Sequence, residues 1–440
     1  MLTRIKLGDV LDVKRGTSLA GEYYSTSGDK IRLTLGNFQY PNGGFKDNTS
    51  KSNIYFIGDV KSDFILKKGD IITPLTEQVA GLLGETARIP EDNLYILSGD
   101  VGLVIPDESK LNKIFAYYLV SSPIVKKQLG SSAQQTKIRH TSPDKIKDCI
   151  VWIPDLVSQK KIGELIDTLN NKISSNNAIN AELEALAKTI YDYWFLQFEF
   201  PNEEGLPYKS SGGRMVWSEE LKREIPEGWG VGTLSHFIKE IKGGDWGKDV
   251  PEGNYTKRVT CIRGADIPSI TGNSVLSAPI RYILEKNISK KLDAGNLIVE
   301  ISGGSPTQST GRIAYINDIL KECFKTEIIT SNFCKAISLQ DDDFLYWFYI
   351  TWSKLYDSGI LFKYEGKTTG IKNLLYDFFI EDYQIVIPED TLIIKYQNYV
   401  SQLFNKVQQN KRENQELAAL RDWLLPMLMN GQVGFKEQER

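Results

Sequence analysis

Histidine is nearly absent from this chain. Two residues in 440, His140 and His236, leave a Ser-His-Asp triad or a histidine-ligated metal almost nothing to work with. Cysteine is scarce as well: Cys149, Cys261, Cys323 and Cys334 stand far apart, with no CxxC pair and no histidine at ligand spacing, which argues against structural zinc and against a disulfide framework. No apolar run approaches the roughly 20 residues of a membrane span. The first residues, Met1-Leu2-Thr3-Arg4-Ile5-Lys6, lack the apolar core of a signal peptide, so a cytoplasmic location is expected. Excess positive charge is missing too. The 53 Lys and Arg against 56 Asp and Glu leave a net charge of −3, which excludes the uniformly basic surface of a protein that binds nucleic acid unaided. A nucleic-acid site on this chain has to be local or shared with a partner.

Catalytic signatures are also missing. Gly366-Lys367-Thr368 ends like a phosphate-binding loop, but Leu361 stands where the first glycine belongs. There is no Asn/Asp-Pro-Pro-aromatic run of the kind that grips a flipped base, and no Gly-rich dinucleotide fingerprint after a first strand. Gly303-Gly304-Ser305-Pro306 reads as a turn, and Asp341-Asp342-Asp343 as a solvated turn. The chain is not expected to be an enzyme by itself.

What is present is a duplication. Ile153-Pro154 closes the apolar stretch Ile150-Val151-Trp152 and opens a long helical pattern; Ile387-Pro388 does the same after Ile385-Val386, an offset of 234 from position 154 to 388. The offset also relates Ile166 to Val400, Leu169 to Leu403, Asn171-Lys172-Ile173 to Asn405-Lys406-Val407, Asn176 to Asn410, Asn180 to Asn414 and Leu186 to Leu420. A register held this long describes a large domain plus a long helix, present twice. Ordinary globular composition, 41% hydrophobic and 25% charged, supports two cores of real size.

Residues 1–154 carry short apolar runs (Ile71-Ile72, Tyr95-Ile96-Leu97, Val101 to Ile105) broken by Gly, Asp and Asn, the pattern of a mixed domain. Residues 155–200 hold the first long helix, with Ser158 a candidate cap. Residues 201–388 hold a connector rich in Gly, Ser and Pro, then a second mixed domain. Residues 389–430 hold the second helix, expected to end or kink at Pro426, and residues 431–440 form a tail. Each helix would span roughly 50 to 60 Å with a narrow apolar seam that wants a partner. In an antiparallel pair Asn176 would face Asn410, a buried amide contact that fixes register; the alternative is two partly solvated seam positions.

Two polar loops recur in the domains. Lys14, Arg15 and Thr17 in the first correspond to Lys242, Trp246 and Lys248 in the second. Gln134, Gln135, Lys137 and Arg139 correspond to Lys367, Thr368, Thr369, Lys372 and Asn373. Gln, Asn, Arg and Lys read base edges or hold phosphates, so these are candidate DNA contacts; the alternative is that the loops are solvated turns. Trp246 is either an exposed contact or a loop anchor tucked into the core. Tyr193, Trp194 and Trp423 at helix ends either pack onto the neighbouring domain or form a docking patch for another subunit.

The combination resembles the specificity subunits of Type I restriction-modification systems. The resemblance is carried by Ile153-Pro154 with Gln159 and Ile162, Ala187 to Phe195, Pro207-Tyr208-Lys209-Ser210-Ser211-Gly212-Gly213, Glu220 to Trp229, and Leu424-Leu425-Pro426-Met427-Leu428-Met429-Asn430-Gly431. It implies an α+β fold: two mixed α/β target-recognition domains with pseudo-twofold symmetry, separated by two long antiparallel coiled-coil helices. It implies double-stranded DNA with a bipartite target as the ligand, and two methyltransferase subunits and restriction or motor subunits as partners, in a bacterial or archaeal cytoplasm. It places S-adenosylmethionine, ATP and Mg in those partner subunits, with no cofactor in this chain. The stretch near Leu7-Gly8-Asp9-Val10 has no counterpart of Ile225-Pro226-Glu227-Gly228-Trp229, and the loops differ between halves, so two unlike half-sites are expected. Two other readings compete: a self-contained DNA-modifying enzyme, and a helical scaffold for protein partners.

Overall fold

The computed structural model describes residues 2–40, 43–77, 81–132, 139–272, 276, 278–303, 305, 307–368 and 371–435, with only the backbone of 132, 367 and 368. The chain forms two compact units, one of residues 1–171 with 417–440, the other of residues 172–416. Each holds one mixed domain and a portion of both long helices.

The first unit is built on a four-stranded antiparallel sheet in the order Leu11–Arg15, Val101–Pro106, Ile71–Pro74, Ala87–Arg88. Strand Ile71–Pro74 is buried along its whole length, so neighbouring side chains enter different cores. Ile71 packs with Phe115, Ala116 and Leu119 of helix Lys113–Val120, whereas Ile72 packs with Leu33, Leu97 and Val101. A short parallel pairing of Ile31–Arg32 with Tyr95–Ile96 flanks this second core. The domain is closed by Thr3–Lys6 paired with Ile150–Ile153.

The second unit repeats this plan. Its sheet runs Ile238–Gly243, Cys334–Leu339, Leu297–Glu300, Ile313–Tyr315, again antiparallel and with a fully buried third strand. Leu297 and Val299 pack with Trp347, Phe348 and Trp352 of helix Leu345–Asp357, and Ile298 with Ile262, Ala314 and Ala336 on the other face. The flanking parallel pair is Tyr255–Ile262 with Ile328–Thr330, and the closing pair is Gly230–Thr233 with Gln384–Ile387. Gly69 and Gly295 occupy matching places, each turning the chain with positive φ into the buried third strand of its sheet.

The long helices span Leu156–Tyr191 and Asp390–Met429, about 54 and 60 Å at 1.5 Å per residue. Three expectations are corrected. The first helix is capped by Asp155, whose Oδ1 accepts from the Ser158 backbone N–H at 3.0 Å, because the helix begins at Leu156, three residues earlier than a Ser158 cap would allow. The second helix runs through Pro426 to Met429: the missing N–H would have bonded the carbonyl of Asp422, an exposed residue, and the last turn is held by burial of Leu428 and Met429 in the first unit's core. Asn176 does not face Asn410. Within the second unit the helices run antiparallel with Asn176 Nδ2 donating to Asn414 Oδ1 (2.9 Å) and to Glu413 Oε2 (2.8 Å), while Asn410 Nδ2 donates to Asn180 Oδ1 (2.8 Å). The two pairings share one register, displaced from the expected one by a helical turn that the sequence periodicity cannot resolve.

Each domain is fastened to the helices through its sheet and its internal helix. In the first unit Arg88, on the sheet edge, donates to Asp167 (2.8 Å), Asn170 to the Tyr118 hydroxyl (2.9 Å), and Arg421 to Asn170 (3.0 Å). In the second, Gln408 donates to the hydroxyl of Tyr315 on the corresponding edge strand (3.0 Å), and Lys411 donates to the carbonyls of Ile270 and Thr271 (3.2 and 2.7 Å). Burial pushes the Lys411 ammonium below its usual pKa, and Glu184 at 3.5 Å opposes that shift. Gln159 and Gln397 repeat another fastening. Each accepts a backbone N–H where the domain helix begins, from Asn112 (2.9 Å) and Tyr346 (3.0 Å).

Asn410→Ala strands the buried Asn180 carbonyl oxygen and is expected to cost about 1–3 kcal/mol, whereas Asn180→Leu with Asn410→Leu recovers much of that loss. Denaturant unfolding followed by circular dichroism checks the order; equal midpoints for Asn410→Ala and the wild type would show that the amide pair is not structurally coupled.

Candidate nucleic-acid interface

Sheet register brings the two recurring loops of each domain to one place. Arg15 pairs with Gly102, which pairs with Thr73, so the loop after Leu11–Arg15 and the segment after Ile71–Pro74 leave the same end of the sheet. Gly243 pairs with Lys335, which pairs with Val299, and the second domain does the same. The second loop is then tied to that segment. Arg139–His140 pairs with Thr76–Glu77, and Ile371–Leu374 pairs with Ser302–Gly303.

The first loops match in atomic detail. A Cβ on Gly16 would lie 2.1 Å from the Ser98 carbonyl oxygen, and one on Gly244 would lie 2.0 Å from that of Ser331. The next residue donates in each case to the same strand, Thr17 to the Leu97 carbonyl (3.1 Å) and Asp245 to that of Thr330 (2.8 Å). Only glycine allows so close a backbone approach. This places Thr17 opposite Asp245 and Ser18 opposite Trp246.

Around this frame the candidate side chains fare differently. Lys14 is half-buried, donates to the Asp63 carbonyl at 3.0 Å and lies 4.7 Å over the Phe64 ring. Arg15 is exposed, with Nε on the Gly99 carbonyl (3.0 Å), and Thr17 is half-buried. Lys242 pairs with Glu240 (3.5 Å), and exposed Lys248 pairs with Glu252 (3.4 Å). Arg139 reaches the buried Glu77 at 3.4 Å and Lys372 reaches the half-buried Glu365 at 3.0 Å. Glu77 Oε2 also accepts the backbone N–H groups of Gly81 and Leu83, and Glu365 Oε1 that of Thr310. Arg139 and Lys372 therefore brace the bases of their loops. Asn373 accepts from the Ser302 hydroxyl. Lys367 and Thr368 lie in strand Glu365–Thr368, while Gln134, Gln135, Lys137 and Thr369 lie outside the described residues.

Beside the first loop of the first unit opens a polar cleft of about 960 Å³ that sequence reasoning missed. Arg15, Arg32, Lys46 and Lys51 line it with Tyr40 and Asn48, against a single carboxylate among the described residues, Asp100. Arg32 is buried, stacked 3.9 Å over Tyr24 and anchored on the Asn53 carbonyl, whereas Lys46 and Lys51 are exposed. The signal was compositional at most: Phe45 to Asn53 is a polar stretch without period, which reads as a turn until folding brings it against Arg15. Burial pushes the thiols of Cys261 and Cys334 up to about 12, which disfavours their thiolates.

Of the aromatic docking candidates, Trp194 is corrected. It is 7% exposed and packs edge-on against Tyr396 and Tyr399 in the second unit's core, which its place in the π-helical turn Asp192–Leu196 makes possible. Tyr193 at 40% and Trp423 at 56% remain exposed.

Gly16→Ala and Gly244→Ala should each displace the loop backbone and lower stability by about 1–3 kcal/mol. Urea denaturation of the two variants checks this, and an unchanged midpoint in either would mean that its loop yields freely.

Residues 3–185 match the family described as the Type I restriction modification DNA specificity domain. The chain is 23% identical over 348 residues to the Type I restriction enzyme MjaIX specificity subunit of Methanocaldococcus jannaschii, covering 76% of this chain and 72% of that protein. It is 22% identical over 429 residues to the HindI specificity subunit of Haemophilus influenzae, covering 84% and 87%. The crystal structure of the S subunit of a Type I restriction-modification system from M. genitalium shares the fold, with a TM-score of 0.59 at 14% identity over 98% of this chain and 96% of that one. No described helix is long and apolar enough to cross a membrane.

Proposed function

We infer that this chain belongs to the family of Type I restriction-modification specificity subunits and reads a bipartite DNA sequence, one part with each mixed domain. It is a DNA-recognition component rather than the catalyst. The observation that carries the reading is the recurrence, in two domains of one topology, of two polar loops at the same end of the sheet, with unlike side chains on a shared backbone frame. A repeated frame with different tips suits two different half-sites.

In this proposal the long helices act as a ruler that sets the unspecific spacer. Two methyltransferase subunits dock on the chain, flip an adenine in each half-site and transfer a methyl group from S-adenosylmethionine, and motor-nuclease subunits that use ATP and Mg complete the cutting complex in the cytoplasm. Those partners also contribute positive surface that a chain of net charge −3 lacks.

A genome-wide map of methylated adenines, with and without this gene, tests the reading. Loss of one split motif is the expected result; an unchanged map in a strain whose partner genes are expressed would sink it. Deleting seven residues from each helix, two turns or about 10 Å, should shorten the spacer by about three base pairs and keep both half-sites. Altered half-sites with an unchanged spacer would refute the ruler. Because Arg139 and Lys372 brace their loops on the carboxylates of Glu77 and Glu365, Lys46→Glu with Lys51→Glu is the cleaner charge test. In the assembled complex it should weaken DNA binding and lower the slope of log affinity against log salt by about 1 to 2. An unchanged slope would remove the cleft from the interface.

A further inference from the structure

The second domain presents an aromatic residue that its counterpart lacks, on a loop held from beneath by a buried arginine. Arg281 is 4% exposed, and its guanidinium lies 4.0 Å from the centre of the Trp246 ring. Nε donates to the Trp246 carbonyl at 2.8 Å, Nη2 to that of Gly247 at 3.3 Å, and Nη1 to the Asp249 carboxylate. Three further contacts lock the same loop. Asn287 donates to Asp245 Oδ2 (2.6 Å), Asp245 Oδ1 accepts from the Gly247 N–H (3.0 Å), and Lys290 donates to the Gly244 carbonyl (2.9 Å). Gly247 turns the chain with positive φ so that Lys248 can exchange two backbone hydrogen bonds with Tyr282.

A loop fastened at every residue from Gly244 to Asp249 still leaves Trp246 36% exposed. An indole that served only as an anchor would lie under the loop, where the guanidinium lies instead. The arginine covers ring surface from the protein side, fixes the indole at little rotamer freedom, and leaves the remainder of an apolar surface facing solvent at the end of the sheet where both loops emerge.

We propose that Trp246 makes an apolar contact with the base edges of the half-site read by the second domain, and that Arg281 is the positioning residue that holds the indole for it. The inference rests on the DNA-reading function proposed above. A thymine methyl group is the base-edge feature such a surface fits, because it offers no hydrogen bond to satisfy. Ser18 occupies the matching place in the first domain, so the contact belongs to one half-site only.

The test uses the complex assembled with its methyltransferase subunits, carrying Trp246→Ala, Trp246→Phe or Arg281→Lys. Trp246→Ala and Arg281→Lys should each reduce affinity for the specific duplex about tenfold, with non-specific affinity and salt dependence unchanged, since no phosphate contact is lost. The methylated motif should become degenerate at a position in one half-site while the other half stays intact, and Trp246→Phe should restore most of the selectivity. A motif and affinity unaltered in Trp246→Ala would overturn the proposal even if Arg281→Lys fails to fold. Equal losses on specific and non-specific DNA with a reduced salt slope would overturn it too, by assigning the loop to the phosphate backbone. A wild-type complex that methylates no split motif would instead bring down the functional reading itself.

Discussion

A strand buried on both faces is the constraint from which the architecture of each domain follows. Ile71–Pro74 and Leu297–Glu300 send successive side chains into separate cores, so a slip of one residue would exchange the two sets and misfill both. Register in these sheets is therefore rigid, and register decides where the loops emerge. Because Arg15 and Thr73 both pair with Gly102, and Gly243 and Val299 both pair with Lys335, the two loops of each domain share one end of the sheet. A packing requirement in the interior thus assembles a polar surface at the edge.

The helices pose the opposite problem, since a narrow seam of aliphatic residues tolerates sliding by whole turns. The polar groups in that seam resist it. Asn176, bonded to the half-buried Asn414, and Asn180, bonded to Asn410, are buried amides whose hydrogen bonds are lost on sliding by a turn, and Lys172 adds an ion pair to Glu413 at 3.4 Å. The domains are held to the helices by the same kind of device, through Arg88 with Asp167 in one unit and Tyr315 with Gln408 in the other. Hydrophobic burial holds these elements together, while directional polar contacts select the arrangement.

Much of this was legible because duplication and periodicity are properties of the chain order. The offset of 234 revealed the two halves, the long periodic pattern revealed the helices, and the polar stretches around Lys14 and Lys242 marked the recurring loop. Misreadings arose where partners come from distant segments. Trp194 belongs to an aromatic run that reads first as packing onto the neighbouring domain and second as a docking patch, and its edge-on contacts with Tyr396 and Tyr399 decide for packing. Asn176 was assigned a partner one turn away from its real one because helix period alone cannot distinguish adjacent turns. The ion pairs of Arg139 and Lys372 have no sequence signal, because Glu77 and Glu365 become their partners only when the strands pair.

By itself the sequence determined the duplication, the two long helices and the places where polar loops recur, since each of these is written in local spacing or repetition. Tertiary structure alone decided which cations are bound to carboxylates, which line the cleft beside Arg15, and that Arg281 lies beneath Trp246. Those outcomes depend on which distant side chains meet once the sheets close. The physical reason is that an ion pair, a stacked guanidinium or a cleft is a relation between segments, and its energy exists only after burial of the apolar strands has brought those segments together.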